Sequence, residues 1–164
     1  MKKYKSGKKF EGGFTLIETI IYMGLLSIIL LIITNLLITA SYFSQEETAR
    51  LEIQKNGRFV TELIIRDLQN ASSVDVPNDN NPTNNLIAGD VSYGLISGTL
   101  IRSESGDFDN VTSNQVKVES LEFRKIANVG GRPSIQIKIN INFIGEVEGK
   151  RDISQEFETT YYLK

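Results

Sequence analysis

The 164-residue sequence has no cysteine and no histidine. Without cysteine there is no disulfide framework, no thiolate chemistry and no thiolate-held metal. Without histidine as well, the commonest nucleophile, general base and zinc ligands are missing, so the chain is not expected to be an enzyme, to bind a metal or to carry a cofactor. Proline is scarce, and the first of three stands at Pro77. Charge is missing over one long stretch: the 27 residues from Thr19 to Gln45 include no Asp, Glu, Lys or Arg. The formal net charge is only −2, which gives no support to direct binding of nucleic acid through a basic surface.

What is present is organised around that uncharged stretch. Its densest part, Ile20 to Ile38, is mostly Ile and Leu, and about 20 apolar residues is the length a bilayer core asks of a helix. Ahead of it lies a basic tail with Lys2, Lys3, Lys5, Lys8 and Lys9 against the single acid Glu11, a net of +4 that leaves −6 for the remainder. Positive charge stays on the cytoplasmic side. The expectation is a single-pass protein of the cytoplasmic membrane, with its N-terminus cytoplasmic and the bulk of the chain outside.

Glu18 is the anomaly at the mouth of this helix. A carboxylate near one end costs less than the ~2.5 to 3.5 kcal/mol of a charge at the helix centre, yet it still needs a partner or a proton. The uncharged stretch offers no Lys or Arg. A cut between Gly13 and Phe14 would create an α-amino group four residues before Glu18, and an amine with a pKa of about 7.7 to 8.0 is largely charged at neutral pH. That amine could pair within one helix, or with the Glu18 of a neighbouring copy staggered by one step.

Gly12-Gly13-Phe14-Thr15-Leu16-Ile17-Glu18, with its short Lys-rich leader and apolar helix, resembles the N-terminal signal of type IV prepilins and pseudopilins. The resemblance implies cleavage after Gly13 by a prepilin peptidase, N-methylation of Phe14, and a role for Glu18 in filament assembly. It also implies as partners other pilin or pseudopilin subunits, an inner-membrane assembly platform and the lipid bilayer, with the globular domain ending extracytoplasmic in a pilus or pseudopilus. In one respect the sequence departs from many members, which carry a proline in the second half of the apolar helix; here Thr34-Asn35 stands there. Gly24 and Asn35 are its soft points by helix propensity.

Beyond the membrane stretch the helix is expected to continue to Ala71. Ala49, Ile53, Val60, Ile64 and Leu68 recur near the helical period and Leu63 and Ala71 widen the stripe, while Glu46, Arg50, Glu52, Lys55, Glu62, Arg66 and Asp67 fall mostly elsewhere. The stripe should pack on the chain's own sheet. Gly57 costs about 1 kcal/mol against Ala in a helix, and marks a bend or a close approach. From Ser72 the run of Pro77, Asn78, Asp79, Asn80, Asn81 and Pro82 predicts a solvated loop to about Leu86.

The last half is written in period two. Tyr93 to Ile96 and Thr99 to Arg102 read as strands around Ser97-Gly98, and Gln115 to Lys125 alternates through Val116, Val118, Leu121 and Phe123. Ser134 to Ile144 places Ile135, Ile137, Ile139, Ile141 and Phe143 on one face. Gly130-Gly131-Arg132-Pro133 before it and Gly145 to Arg151 after it read as connections, and Ile153 to Leu163 as a final antiparallel strand. One long helix followed by strands predicts an α+β domain in which an antiparallel sheet covers the helix's outer half.

This layout agrees with the pilin fold: leader 1–13, membrane or filament-core helix 14–40, amphipathic continuation 41–71 and a β-rich domain 72–164. Asn56-Gly57-Arg58-Phe59, Arg66-Asp67-Leu68, Leu100-Ile101-Arg102, Leu121-Glu122-Phe123 and Pro133 with the Ile-rich strand are similar to minor pilins of the PilW type and J-type minor pseudopilins of type II secretion. That similarity implies a place in a small complex at the filament tip that primes assembly. A major pilin, a secreted domain released by signal peptidase, and an uncleaved anchored binding module stand as alternatives. Gly106-Asp107-Phe108-Asp109-Asn110 is read as a turn rather than a calcium loop, because it lacks the calcium-loop spacing and a later bidentate Glu. Tyr161-Tyr162 is read as sheet packing.

Overall fold

The computed structural model describes residues 13–127, 131–145 and 152–163. The basic tail up to Gly12, the start of the Gly130–Pro133 turn and most of the Gly145–Arg151 connection lie outside the described residues. One long helix, α1 (Leu16–Asn70), is followed by antiparallel strands, an α+β arrangement consistent with a pilin fold. The chain divides into two compact units between Ser41 and Tyr42.

In the first unit the helix presents its apolar residues outward in every direction. All the large apolar side chains from Leu16 to Ile38 are 45–80% exposed, and the most apolar window has a mean hydropathy of 2.5. Such a helix is long and apolar enough to cross a membrane. Its hydroxyls are already satisfied: Thr19 donates to the Leu16 carbonyl at 2.8 Å, Ser27 to Met23 at 2.8 Å, Thr34 to Leu30 at 2.8 Å, Thr39 to Asn35 at 2.9 Å and Ser41 to Leu37 at 2.9 Å. Back-bonding of this kind lets Ser and Thr sit in hydrocarbon without an orphaned donor.

In the second unit the stripe is buried as its spacing demands. Ala49, Ile53, Val60, Ile64 and Leu68 are 0–4% exposed, and full burial of each larger side chain contributes about 1.5–3 kcal/mol relative to exposure. The helix ends at Asn70, one residue short of the expected Ala71, whose N–H still closes on the Asp67 carbonyl at 2.9 Å.

The strands form two sheets rather than the single sheet expected. The first contains β1 (Val74–Val76), β2 (Leu86–Ala88), β3 (Val91–Ile96), β4 (Thr99–Glu104) and β5 (Asp107–Asn110), in that order. The second contains β6 (Val116–Ile126), β7 (Ser134–Phe143) and β8 (Ser154–Tyr162), again in order. The ladder breaks at the segment between β5 and β6, where Asn56 on the helix takes over: its Oδ1 accepts the Ser113 N–H at 2.9 Å and its Nδ2 donates to Ser113 Oγ at 3.2 Å. Across the break, Thr83 and Phe123 form an isolated bridge with bonds of 2.9 and 2.7 Å.

Two local expectations change with this topology. The expected loop after the helix contains β1, paired with β2. Asp107 to Asn110, expected as a turn, is the strand β5, paired with β4, and the turn falls two residues earlier at Ser105-Gly106. Both residues there have positive φ, 53° and 96°, as do Ser97 and Gly98 at 53° and 82°. Each Ser-Gly pair thus supplies the double positive φ that a two-residue hairpin requires.

In the second sheet the phase slip of the β6 pattern has a physical cause. Val116 and Val118 are buried, then Leu121 and Phe123, because the register shifts between Val118 and Ser120. The extra residue is a bulge that returns the apolar face to the core. Ile135, Ile137, Ile139 and Ile141 of β7 are at most 1% exposed, and β8 pairs antiparallel beside them. Tyr161 is half-buried against the core, whereas Tyr162 points out.

Gly57 is explained by β8. A Cβ built on it would lie well inside van der Waals contact of the Phe157 ring, so the helix gives up about 1 kcal/mol of propensity to let that ring approach. Gly57→Ala should therefore destabilise the full-length chain by roughly 1 kcal/mol, since displacing a packed ring costs about 1–3 kcal/mol. Thermal unfolding in detergent checks it: the sign should reverse in a Phe157→Ala background, and a stabilising Gly57→Ala with Phe157 present would contradict the packing account.

Candidate processing and assembly site

The candidate residues cluster where α1 begins. Gly13 and Phe14 lie just ahead of the helix, both exposed, Phe14 at 75%, and among the described residues no atom beyond its chain neighbours lies within 4 Å of a Cβ built on Gly13. Thr15 caps the helix, its Oγ1 accepting the Glu18 N–H at 3.3 Å. Thr15-Leu16-Ile17-Glu18 has the Thr-x-x-Glu spacing of a capping box, a start signal legible in the sequence. Glu18 is the acid of the first turn, where the helix dipole favours negative charge by about 0.3–1 kcal/mol.

The structure adds a partner that sequence reasoning missed. Tyr22 Oη donates to Glu18 Oε1 at 3.2 Å, and the Tyr22 ring meets the Phe14 ring edge-on, with centroids 6.4 Å apart and planes at 76°. Phe14, Glu18 and Tyr22 recur at a spacing of four; Glu18 and Tyr22 share one strip of the helix, and Phe14, just ahead of it, reaches that strip through its ring contact with Tyr22. The signal available was that spacing, hidden because a search for cationic partners passes over tyrosine.

A second polar cluster lies in the other unit. Asp67, grouped in the sequence with charges off the buried stripe, is only 7% exposed. Its Oδ2 accepts from Arg102 Nε at 2.7 Å and from the Tyr93 hydroxyl, and Arg102 Nη1 donates to Glu104 at 2.6 Å. The helical spacing shows why: Asp67 sits three residues after Ile64 and seven after Val60. Burial first, and then the bond to Asp67 and its charge, hold the Tyr93 hydroxyl far above its ordinary pKa near 10. Arg102 is likewise raised, chiefly by its bond to Asp67. The cluster pins the helix's end to β3 and β4. Among the described residues there is no group of three or more His, Cys, Asp or Glu arranged to hold a metal ion.

Residues 8–34 match the family model described as the prokaryotic N-terminal methylation motif. The matched segment spans Gly13, Phe14, Glu18 and Tyr22. No curated protein and no solved structure gives a significant match to the chain. The motif, the long apolar helix and the strands that follow it support a type IV pilin-like protein. More particularly, the motif supports a prepilin-type precursor of the pilin or pseudopilin kind, a class of structural subunits that interact with prepilin peptidase and with one another, and the apolar helix fits membrane anchoring.

The buried pair gives two measurable consequences. Arg102→Met, which takes the 2.7 Å cation from Asp67 and leaves it only the largely exposed Arg66 guanidinium at 3.9 Å, should cost roughly 3 kcal/mol; denaturant unfolding of the full chain in detergent reads it, and a loss below about 1 kcal/mol would contradict the pairing. Because Tyr93 is raised on folding, its contribution is whole below about pH 10 and is lost as pH climbs further. Stability should therefore fall above about pH 10 and fall less steeply in Tyr93→Phe, and equal slopes in the two proteins would refute the assignment.

Proposed function

We propose that the chain is the precursor of a minor type IV pilin or pseudopilin, a non-enzymatic filament subunit. The observation that carries this reading is the matched motif set against the start of α1: the Gly13–Phe14 junction stands exposed just before the helix, and Glu18 stands in its first turn. The Lys-rich leader keeps the N-terminus cytoplasmic. The apolar helix holds the precursor in the bilayer until a prepilin peptidase cuts after Gly13 and the Phe14 amine is released and methylated.

Assembly then moves the apolar helix from lipid into a bundle of like helices. A lone carboxylate among them is strongly unfavourable, so Glu18 docks where it meets the Phe14 amine of a neighbouring subunit, and that pair sets the register. The globular domain is carried outside the membrane, and a tip or initiation complex is the place that fits the PilW-type and J-type similarity of Asn56-Gly57 and Arg66-Asp67-Leu68. The absence of cysteine and histidine supports a structural role over catalysis.

Intact mass and N-terminal sequencing of the protein, made in hosts with and without a prepilin peptidase, test the processing step. The expected product begins at Phe14 with one added methyl, only in the host that has the peptidase; a start near Ser41 or an intact Met1 in both hosts would overturn the reading. Glu18→Ala should leave that cleavage intact and lower incorporation into filaments, on the order of tenfold or more, because the buried amine then has no partner.

A further inference from the structure

The bond between Tyr22 and Glu18 has no part in the processing and docking scheme above, yet it is the intrachain side-chain contact that the Glu18 carboxylate makes. Tyr22 Oη bonds Oε1 at 3.2 Å, and among the described residues Oε2 accepts no hydrogen bond. From Thr19 to Gln45 there is no cation to compete. A carboxyl group facing hydrocarbon retains whatever donor it can reach, and the one it bonds among the described residues, a turn further along, is the Tyr22 phenol. That ring is itself placed by Phe14, edge-on at 6.4 Å, the residue that bears the new amine once Gly13 is removed.

The geometry points to Tyr22 as a positioning residue for Glu18: its hydroxyl holds Oε1 within the membrane and leaves Oε2 turned free for the Phe14 amine of an incoming neighbour. The inference rests on the proposed docking role of Glu18 and deepens it. At 3.2 Å the bond is longer than the usual 2.5–3.0 Å of a hydroxyl donor, and it engages one carboxylate oxygen of the two. Tyr22 steadies the carboxylate without saturating it. The ring contact to Phe14 and the hydroxyl bond to Glu18 are separable, because Tyr22→Phe keeps the first and removes the second, whereas Tyr22→Leu removes both.

Two measurements on the full-length protein test it. In the first, precursors reconstituted in phosphatidylethanolamine–phosphatidylglycerol vesicles are treated with dicyclohexylcarbodiimide, which modifies carboxyl groups in apolar surroundings, and the adduct at Glu18 is followed by peptide mass. Loss of the hydroxyl bond should speed modification about threefold or more in Tyr22→Phe and equally in Tyr22→Leu; equal rates in Tyr22→Phe and the parent overturn the inference. In the second, filament incorporation should fall several-fold in Tyr22→Phe, while adding Tyr22→Phe to Glu18→Ala should change nothing further, which a role of the hydroxyl independent of Glu18 would not produce. Normal incorporation of Tyr22→Phe beside defective Glu18→Ala overturns the role of Tyr22 alone. Normal incorporation of Glu18→Ala overturns the docking reading on which it rests.

Discussion

Everything in this chain depends on a helix that closes its own backbone hydrogen bonds for 55 residues while its side chains change solvent partway along. In hydrocarbon every N–H and C=O must be paired internally, and the first stretch meets that demand with Ile, Leu and hydroxyls folded back onto carbonyls four residues earlier, or three for Thr19. After Tyr42 the same backbone meets a different demand, the burial of one stripe against strands. Absence of charge along one stretch and periodic charge along the next are two solutions to the surroundings of one helix.

That division is why so much of the fold was legible. Hydrophobic patterns report the side of an element that avoids water, so Ala49, Ile53, Val60, Ile64 and Leu68 declared their stripe, and the isoleucines of β7 their face, without any knowledge of the partner. The break into two sheets was not legible: in the segment between them, Asn56 reaches a backbone N–H 57 positions away. A pattern of apolar residues says nothing about where a polar side chain interrupts a ladder. The short β1 and β5 were missed for a related reason: their residues are exposed or half-exposed, so no alternation marked them, and only pairing to β2 and β4 makes them strands.

The candidate residues divide in the same way. Gly13, Phe14 and Glu18 were legible as a linear string, and Thr15 with Glu18 adds a capping signal written in the same letters. Tyr22 was not, because its meaning comes from a bond to Glu18 rather than from its own chemistry. Asp67 was misplaced because a charged letter counts against burial until Arg102 and Tyr93 are found opposite it. Buried polar groups are therefore the least legible part of this sequence, although Asn56 and Asp67 each sit within one helical turn of a position that the apolar pattern had marked.

The position of Glu18 weighs against a bare anchor. A helix meant only to hold a domain at a membrane has no need of an acid in its first turn, and an apolar residue there would insert more favourably. The dipole offsets about 0.3–1 kcal/mol of the cost and the Thr15 cap is satisfied by the Glu18 backbone alone. What the side chain provides beyond this is a carboxylate one turn into the helix that Phe14 precedes, with one oxygen bonded to Tyr22 and the other accepting no hydrogen bond among the described residues. Such an arrangement is unfavourable in an isolated helix and becomes favourable when a neighbour brings an amine at the matching height. Under the docking role proposed for Glu18, a carboxylate with that property would select for processed, aligned subunits, and that is the physical reason for proposing an assembly role over a tolerated surface charge.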